Sequence, residues 1–158
     1  MKDATKNATN TGWQYELDVL MENLNKGFSI EFSKTVHGKE VDIIDISNNR
    51  LIEIKSYSTS GWLTLGKNLG HQAGAQFSII NPEFLSQFSE RMGRVRIEPT
   101  ADPTWYNATK EELIGEIKKI IIHPNAGDNY INKLNNMTHL TIENATGIHT
   151  IERALWNN

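Results

Sequence analysis

Gly38-Lys39-Glu40-Val41-Asp42-Ile43-Ile44-Asp45-Ile46-Ser47, then Asn48-Asn49, then Arg50-Leu51-Ile52-Glu53-Ile54-Lys55-Ser56-Tyr57, is the stretch from which the rest of the chain is read. Val41, Ile43, Ile44, Ile46, Leu51, Ile52 and Ile54 are β-branched and aliphatic types that favour strands. Two adjacent asparagines tolerate the positive φ of a two-residue turn. With Asn48-Asn49 as the turn, Ser47 opposes Arg50, while Ile46 opposes Leu51, Ile44 opposes Glu53 and Asp42 opposes Lys55 on one face. Asp42, Glu53 and Lys55 therefore converge.

Directly opposed residues have Cβ atoms roughly 4.5–5.5 Å apart and diagonal ones about 7–8 Å, so Lys55 reaches Asp42 while Glu53 lies on the diagonal. One cation can bridge two carboxylates across that gap. Magnesium takes oxygen ligands at about 2.0–2.1 Å and is commonly held by one or two carboxylates with water and phosphate. The plainer alternative is a cross-strand ion pair on a wet sheet face, worth roughly 0.2–1 kcal/mol. Against it stand Ile44, Ile46 and Leu51 on that face and Val41, Ile43, Ile52 and Ile54 on the other. A sheet covered on both sides makes unpaired carboxylates expensive.

This Glu-x-Asp, hairpin, Glu-x-Lys order resembles the PD-(D/E)xK nuclease superfamily, which includes restriction endonucleases, resolvase-like proteins and nuclease domains of bacterial polymorphic toxins. Asp42 matches the motif aspartate, Glu53 the central acid and Lys55 the lysine; Val41 stands where the family usually has proline. The match covers the first half of the chain. It implies an α/β domain of restriction-endonuclease type, a mixed β-sheet flanked by α-helices. It also implies Mg²⁺ or Mn²⁺, or another divalent ion, held by Asp42 and Glu53, and hydrolysis of DNA or tRNA phosphodiesters.

Length and composition bound this reading. A chain of 158 residues is expected to form one domain, with residues 1–11 as a polar, flexible lead-in and 12–158 as the domain. With no cysteine, a disulfide framework and a thiolate metal site are excluded. No stretch approaches the roughly 18 apolar residues of a membrane span, and no apolar signal core is evident. A net charge of -3 argues against a generally basic nucleic-acid coat, although local patches could meet phosphate. By analogy, such a chain looks like a toxin domain carried by a larger secreted bacterial protein, as in contact-dependent growth inhibition. It would then act in a target-cell cytoplasm and be paired with a small immunity protein; a cytoplasmic protein is the alternative.

Along the chain, Gly12 to Gly27 reads as a helix, with Trp13, Leu17, Leu20 and Leu24 at helical spacing and Gly27 as its stop. Glu16 borders that stripe, where a charge is usually solvated. The resemblance instead makes Glu16 the first-helix glutamate that completes the metal site, with Glu22 a competitor on the polar side. Phe28 to Ser33 alternates like a half-buried strand, and Glu40 is either a supporting acid or the wet end of the next one. Ser56 to Gly66 reads as a loop in which Trp62 could stack on a base or be buried. Lys67 to Ser78 has helical spacing, and the resemblance gives Lys67 or Gln72 a place against nucleic acid; an exposed polar face is the alternative.

Ile79-Ile80 reads as a short strand. Asn81-Pro82-Glu83 opens a helix that Phe84, Leu85, Phe88 and Met92 carry to Gly93. Arg94 to Glu98 alternates and stops at Pro99, which predicts an edge strand with Arg94 and Arg96 on one face. Those arginines either contact phosphate or keep the edge solvated. Thr109 to Glu112 is a capping box for a core helix with Leu113, Ile114, Ile117, Ile120 and Ile121 on its stripe. The His123 to Asp128 stretch breaks that helix. A strand is expected at His139 to Ile142 and a final helix over Ile148 to Trp156. His123, His139 and His149 are too scattered for a zinc pattern. A non-catalytic interaction module with the same fold is the competing functional class.

Overall fold

A computed structural model of the chain describes residues 11–36, 39–57, 86–122 and 137–156. The first helix, α1 (Thr11–Asn25), ends where expected. Gly27 takes φ +78, which glycine reaches without steric cost, and its N–H donates to the Leu24 carbonyl at 2.9 Å. Three strands follow as an antiparallel meander: β1 (Ile30–Val36), β2 (Lys39–Asp45) and β3 (Arg50–Tyr57). β4 (Glu90–Ile97) and β5 (His139–Asn144) continue parallel to β3, and β6 (Gly147–Glu152) returns antiparallel. The six strands lie in chain order in one open mixed sheet. Short α2 (Pro103–Tyr106), α3 (Lys110–Ile122) and α4 (Arg153–Trp156) complete the described elements.

The apolar residues on both faces of the hairpin are explained by helices on both sides of the sheet. Ile43, Ile52, Ile54 and Met92 pack against Tyr15, Val19 and Leu20 of α1. Ile44, Leu51, Val95 and Ile142 pack on the other face with Leu113 and Ile117 of α3, and with Trp105 and Trp156. Parallel strands buried on both faces need continuous rather than alternating apolar sequence. The α3 start is a reciprocal cap: the Thr109 N–H donates to Glu112 Oε2 at 2.9 Å, and the Glu112 N–H donates to Thr109 Oγ1 at 3.3 Å. Among the described residues, no helix is long and apolar enough to cross a membrane.

Four expectations are corrected. The hairpin turn is the four residues Ile46 to Asn49, with Asp45 pairing Arg50, and not Asn48-Asn49 alone. The cause is Asp45, whose fully buried carboxylate accepts from the Asn48 N–H at 3.1 Å and from Arg50 Nε at 2.6 Å. The register moves by two residues, which keeps Ile43, Ile44, Leu51, Ile52 and Ile54 on their expected faces, whereas Val41 joins the cluster of Ile44 and Leu51 and Asp42 lines the α1 side with Ile43 and Ile54. Glu90 to Gly93 is strand rather than the end of a helix, because this segment pairs with β3 on one side and, from Met92, with β5 on the other. β4 is therefore central, not an edge. The expected final helix is mostly β6, with only Arg153 to Trp156 helical.

Candidate active site at the β2–β3 fork

The ladder between β2 and β3 runs from Asp45–Arg50 to Ile43–Ile52. Continued by one residue, that register sets Asp42 beside Glu53 rather than opposite Lys55. The strands part there. The Ile54 N–H donates to the Asp42 side chain, Oδ2, at 2.8 Å. Lys55 Nζ lies 3.1 Å from Glu53 Oε1, its neighbour two residues back on the same strand face. The three residues named from the hairpin are thus brought together, with the lysine bridging to Glu53 in place of Asp42.

Glu53 is 1 % exposed, and its carboxyl is held well above the usual carboxylate range. Burial is the largest cause, the Asp42 charge adds to it, and Lys55 opposes it. A hydrogen bond between the two carboxyls favours the protonated form further. Tyr57, next along this face, has its hydroxyl raised by burial and then by the Glu53 charge, and its Oη has no partner among the described residues. At the same end of the sheet, Ser56 Oγ donates to Glu98 Oε1 at 2.7 Å. Neither Tyr57 nor Glu98 stood out in sequence. Tyr57 continues the Glu-x-Lys alternation by one step, a signal that points to it only once the face is known.

Glu16 is brought to the α1 side of Asp42. Ile52 and Ile54 point towards α1, so Glu53 between them points to the opposite face, while Glu16 rides on α1 itself. Glu16 and Asp42 line one cavity of about 160 Å³ between α1 and the first two strands. No group of three or more His, Asp or Glu suited to hold a metal occurs among the described residues. The carboxylate pair Asp42–Glu53 is therefore the set available to a cation, without Glu16 closing a triad.

Arg94 and Arg96 do share a face, and that face lies beneath α1. Arg94 is 7 % exposed and donates to both carboxylate oxygens of Glu22, at 3.3 and 3.0 Å. Glu22 accordingly sits below the usual carboxylate range, first through the Arg94 hydrogen bonds and against a smaller cost of burial. Arg96 lies over the Tyr15 ring at 4.8 Å and 3.8 Å from Asp18. The reading of Arg94 as a phosphate contact is corrected: this guanidinium is spent on holding α1 to the sheet, where a central strand buries it. Glu22, taken as facing solvent, turns inward to meet it. Glu40 is exposed at the wet end of β2. Lys67 and Gln72 lie outside the described residues.

A buried carboxylate pair with one ammonium beside it can accept a divalent cation, exchange a proton, or offer a cationic donor to an anion. No family model, curated protein or solved structure matches the chain.

Proposed function

We propose that the chain is a divalent-metal-dependent nuclease that hydrolyses nucleic-acid phosphodiesters, with a restriction-endonuclease-like fold and Asp42, Glu53 and Lys55 as its site. The observation that carries this reading is the Asp42–Glu53 pair, two carboxylates at a strand fork with the Lys55 ammonium beside Glu53. The helix–strand–strand–strand start, continued as a mixed sheet with helices on both faces, agrees with what the resemblance implies.

The donor set fits Mg²⁺ or Mn²⁺. Its ligands are hard oxygens, and the burial and the Asp42 charge that raise Glu53 are what a bound dication would offset. When bound, such an ion supplies Lewis acidity at a phosphoryl oxygen and makes water more acidic. The chain's own groups do the rest. Asp42, fixed by the Ile54 N–H, and Glu53 present carboxylate oxygens from two strands of a rigid sheet. Lys55, 23 % exposed at its side chain, can turn its ammonium from Glu53 towards a phosphate oxygen and offset charge as water adds and the P–O bond breaks. Burial keeps bulk water from Glu53.

A toxin domain delivered by a larger bacterial protein, with an immunity protein as partner, is the setting we infer from the resemblance. Incubation of the purified chain with plasmid DNA and total RNA tests the chemistry. Cleavage should require a divalent ion and fall at least 100-fold in Asp42→Ala, Glu53→Ala and Lys55→Ala. Cleavage that survives in all three variants would remove the site.

A further inference from the structure

The cavity between α1 and the β1–β2 edge has no part in the chemistry just described, yet it shares a wall with it. Trp13, Leu17 and Phe32 supply apolar surface, and Phe32 is 42 % exposed at the chain's surface. Its polar lining consists of Ser33, Glu16 and Asp42. Ser33 is held at φ +50, a conformation unfavourable for a residue with a Cβ, which turns the β1 backbone at this spot. Where Phe32 pairs Ile43 and Lys34 pairs Val41, the Ser33–Asp42 pair between them is missing from the ladder. The β1–β2 strands therefore loosen at Asp42, as β2–β3 do on the other side.

From these features we infer that the cavity receives one unpaired nucleobase, adjacent to the phosphate at the Asp42–Glu53–Lys55 cluster; this rests on the nuclease reading. Three observations select that occupant. A volume of about 160 Å³ suits a single flat ring system, since an apolar protein cavity of about 150 Å³ takes up benzene. An indole and a phenyl ring in the wall offer stacking that is indifferent to base identity. Glu16 and Asp42 are acceptor-only when ionised, so they match the exocyclic amino groups of adenine, cytosine and guanine better than uracil, whose single N3–H donor is flanked by two carbonyls. Asp42 lines the cavity and its carboxyl meets that of Glu53, so the cavity adjoins the acid pair where the strands part.

Two consequences follow. A base inside a duplex cannot enter without leaving the stack, so loops and single strands are the preferred substrates. Glu16 becomes a specificity-determining residue that reads the base.

Binding of nucleoside monophosphates to the full chain in chelator tests this without any cleavage. Adenosine and cytidine monophosphates should shift the Trp13 indole and Ser33 amide signals in NMR, with uridine monophosphate binding at least fivefold more weakly. Leu17→Trp should fill the cavity and weaken adenosine monophosphate at least tenfold. Trp13→Ala should do the same from the opposite direction, by removing the stacking surface. Glu16→Gln should bring adenosine and uridine monophosphates within twofold of each other while leaving the magnesium-induced rise in melting temperature intact. Equal binding of all the monophosphates by the parent would overturn the inference. So would phenol binding as tightly as adenosine monophosphate, shifts confined to other signals, or unchanged affinity in Leu17→Trp and Trp13→Ala. Base binding without cleavage of any nucleic acid would refute the nuclease and leave the pocket. Cleavage without base binding would do the reverse.

Discussion

Replacing Glu53 by Gln should stabilise the metal-free protein at neutral pH. Folding raises the Glu53 carboxyl above its reference value of 4.5, through burial and then the charge on Asp42. The native state therefore binds more protons than the unfolded chain once pH exceeds about 4.5, and stability falls as pH rises from there to the folded value. Each tenfold gain in proton affinity on folding costs about 1.4 kcal/mol at higher pH. In a chain of 158 residues, about 1 kcal/mol moves the melting temperature by roughly 2–4 °C. Glu53→Gln removes the ionisation but keeps a donor towards Asp42 and an acceptor towards Lys55. A tenfold gain alone would make it melt roughly 3–6 °C above the parent in chelator at pH 8, by the same conversions. The gap should close towards pH 4.5. Lys55→Met should melt below the parent at pH 8, since it leaves both acids uncompensated. Magnesium at 100 times its Kd should add about 2.7 kcal/mol, or roughly 5–11 °C, to the parent and little to Glu53→Gln. Thermal melts at pH 4.5 and 8, in chelator and in magnesium, decide the matter. A Glu53→Gln protein that melts lower at both pH values, or responds to magnesium as the parent does, would refute the reasoning.

Four further outcomes are expected. Asp45→Ala should cost about 3 kcal/mol or more in urea unfolding, because it strands Arg50 beside the fully buried position and releases the turn; a cost under about 1 kcal/mol would show that the turn sets its own register. Glu22→Gln should destabilise more than Arg94→Met, since it leaves a buried guanidinium uncompensated whereas the Glu22 side chain, 36 % exposed, can be hydrated when left alone. The Glu22 contribution, from a carboxyl lowered on folding, is present above pH 4.5 and lost as pH falls below it, opposite in sign to that of Glu53; a parent-minus-Glu22→Gln stability difference that does not shrink between pH 5 and 3 would contradict this. Filter binding in chelator should give Arg94→Met a nucleic-acid affinity within twofold of the parent, with the loss confined to stability; a larger drop would return Arg94 to the interface.

The hairpin shows what sequence alone determined. Alternating β-branched residues set which side chains share a face, and a two-residue slip of register does not alter that parity for Ile43, Ile44, Leu51, Ile52 and Ile54; Asp42 turns to the α1 side and meets Glu53 where the strands part. Apolar residues on both faces foretold helices on both sides of the sheet. The α1 stop and the Thr109–Glu112 cap were likewise local, each a bond or dihedral within a few residues. What lay beyond was set by partners distant in sequence. Parity says nothing of offset, so the pairing of Asp42 with Glu53 waited on how Asp45 ties down Asn48 and Arg50. Met92 and Phe88 have helical spacing, but the hydrogen bonds offered by β3 and β5 made the segment around Met92 a central strand, and its central position buried Arg94 under α1. Glu16 was assigned from its place on one helix, yet which wall it joins depends on the fact that Ile52 and Ile54, and not Glu53, face that helix. Local patterns specify faces and ends, whereas the choice of neighbour across the sheet is made by burial and hydrogen bonding over the whole chain.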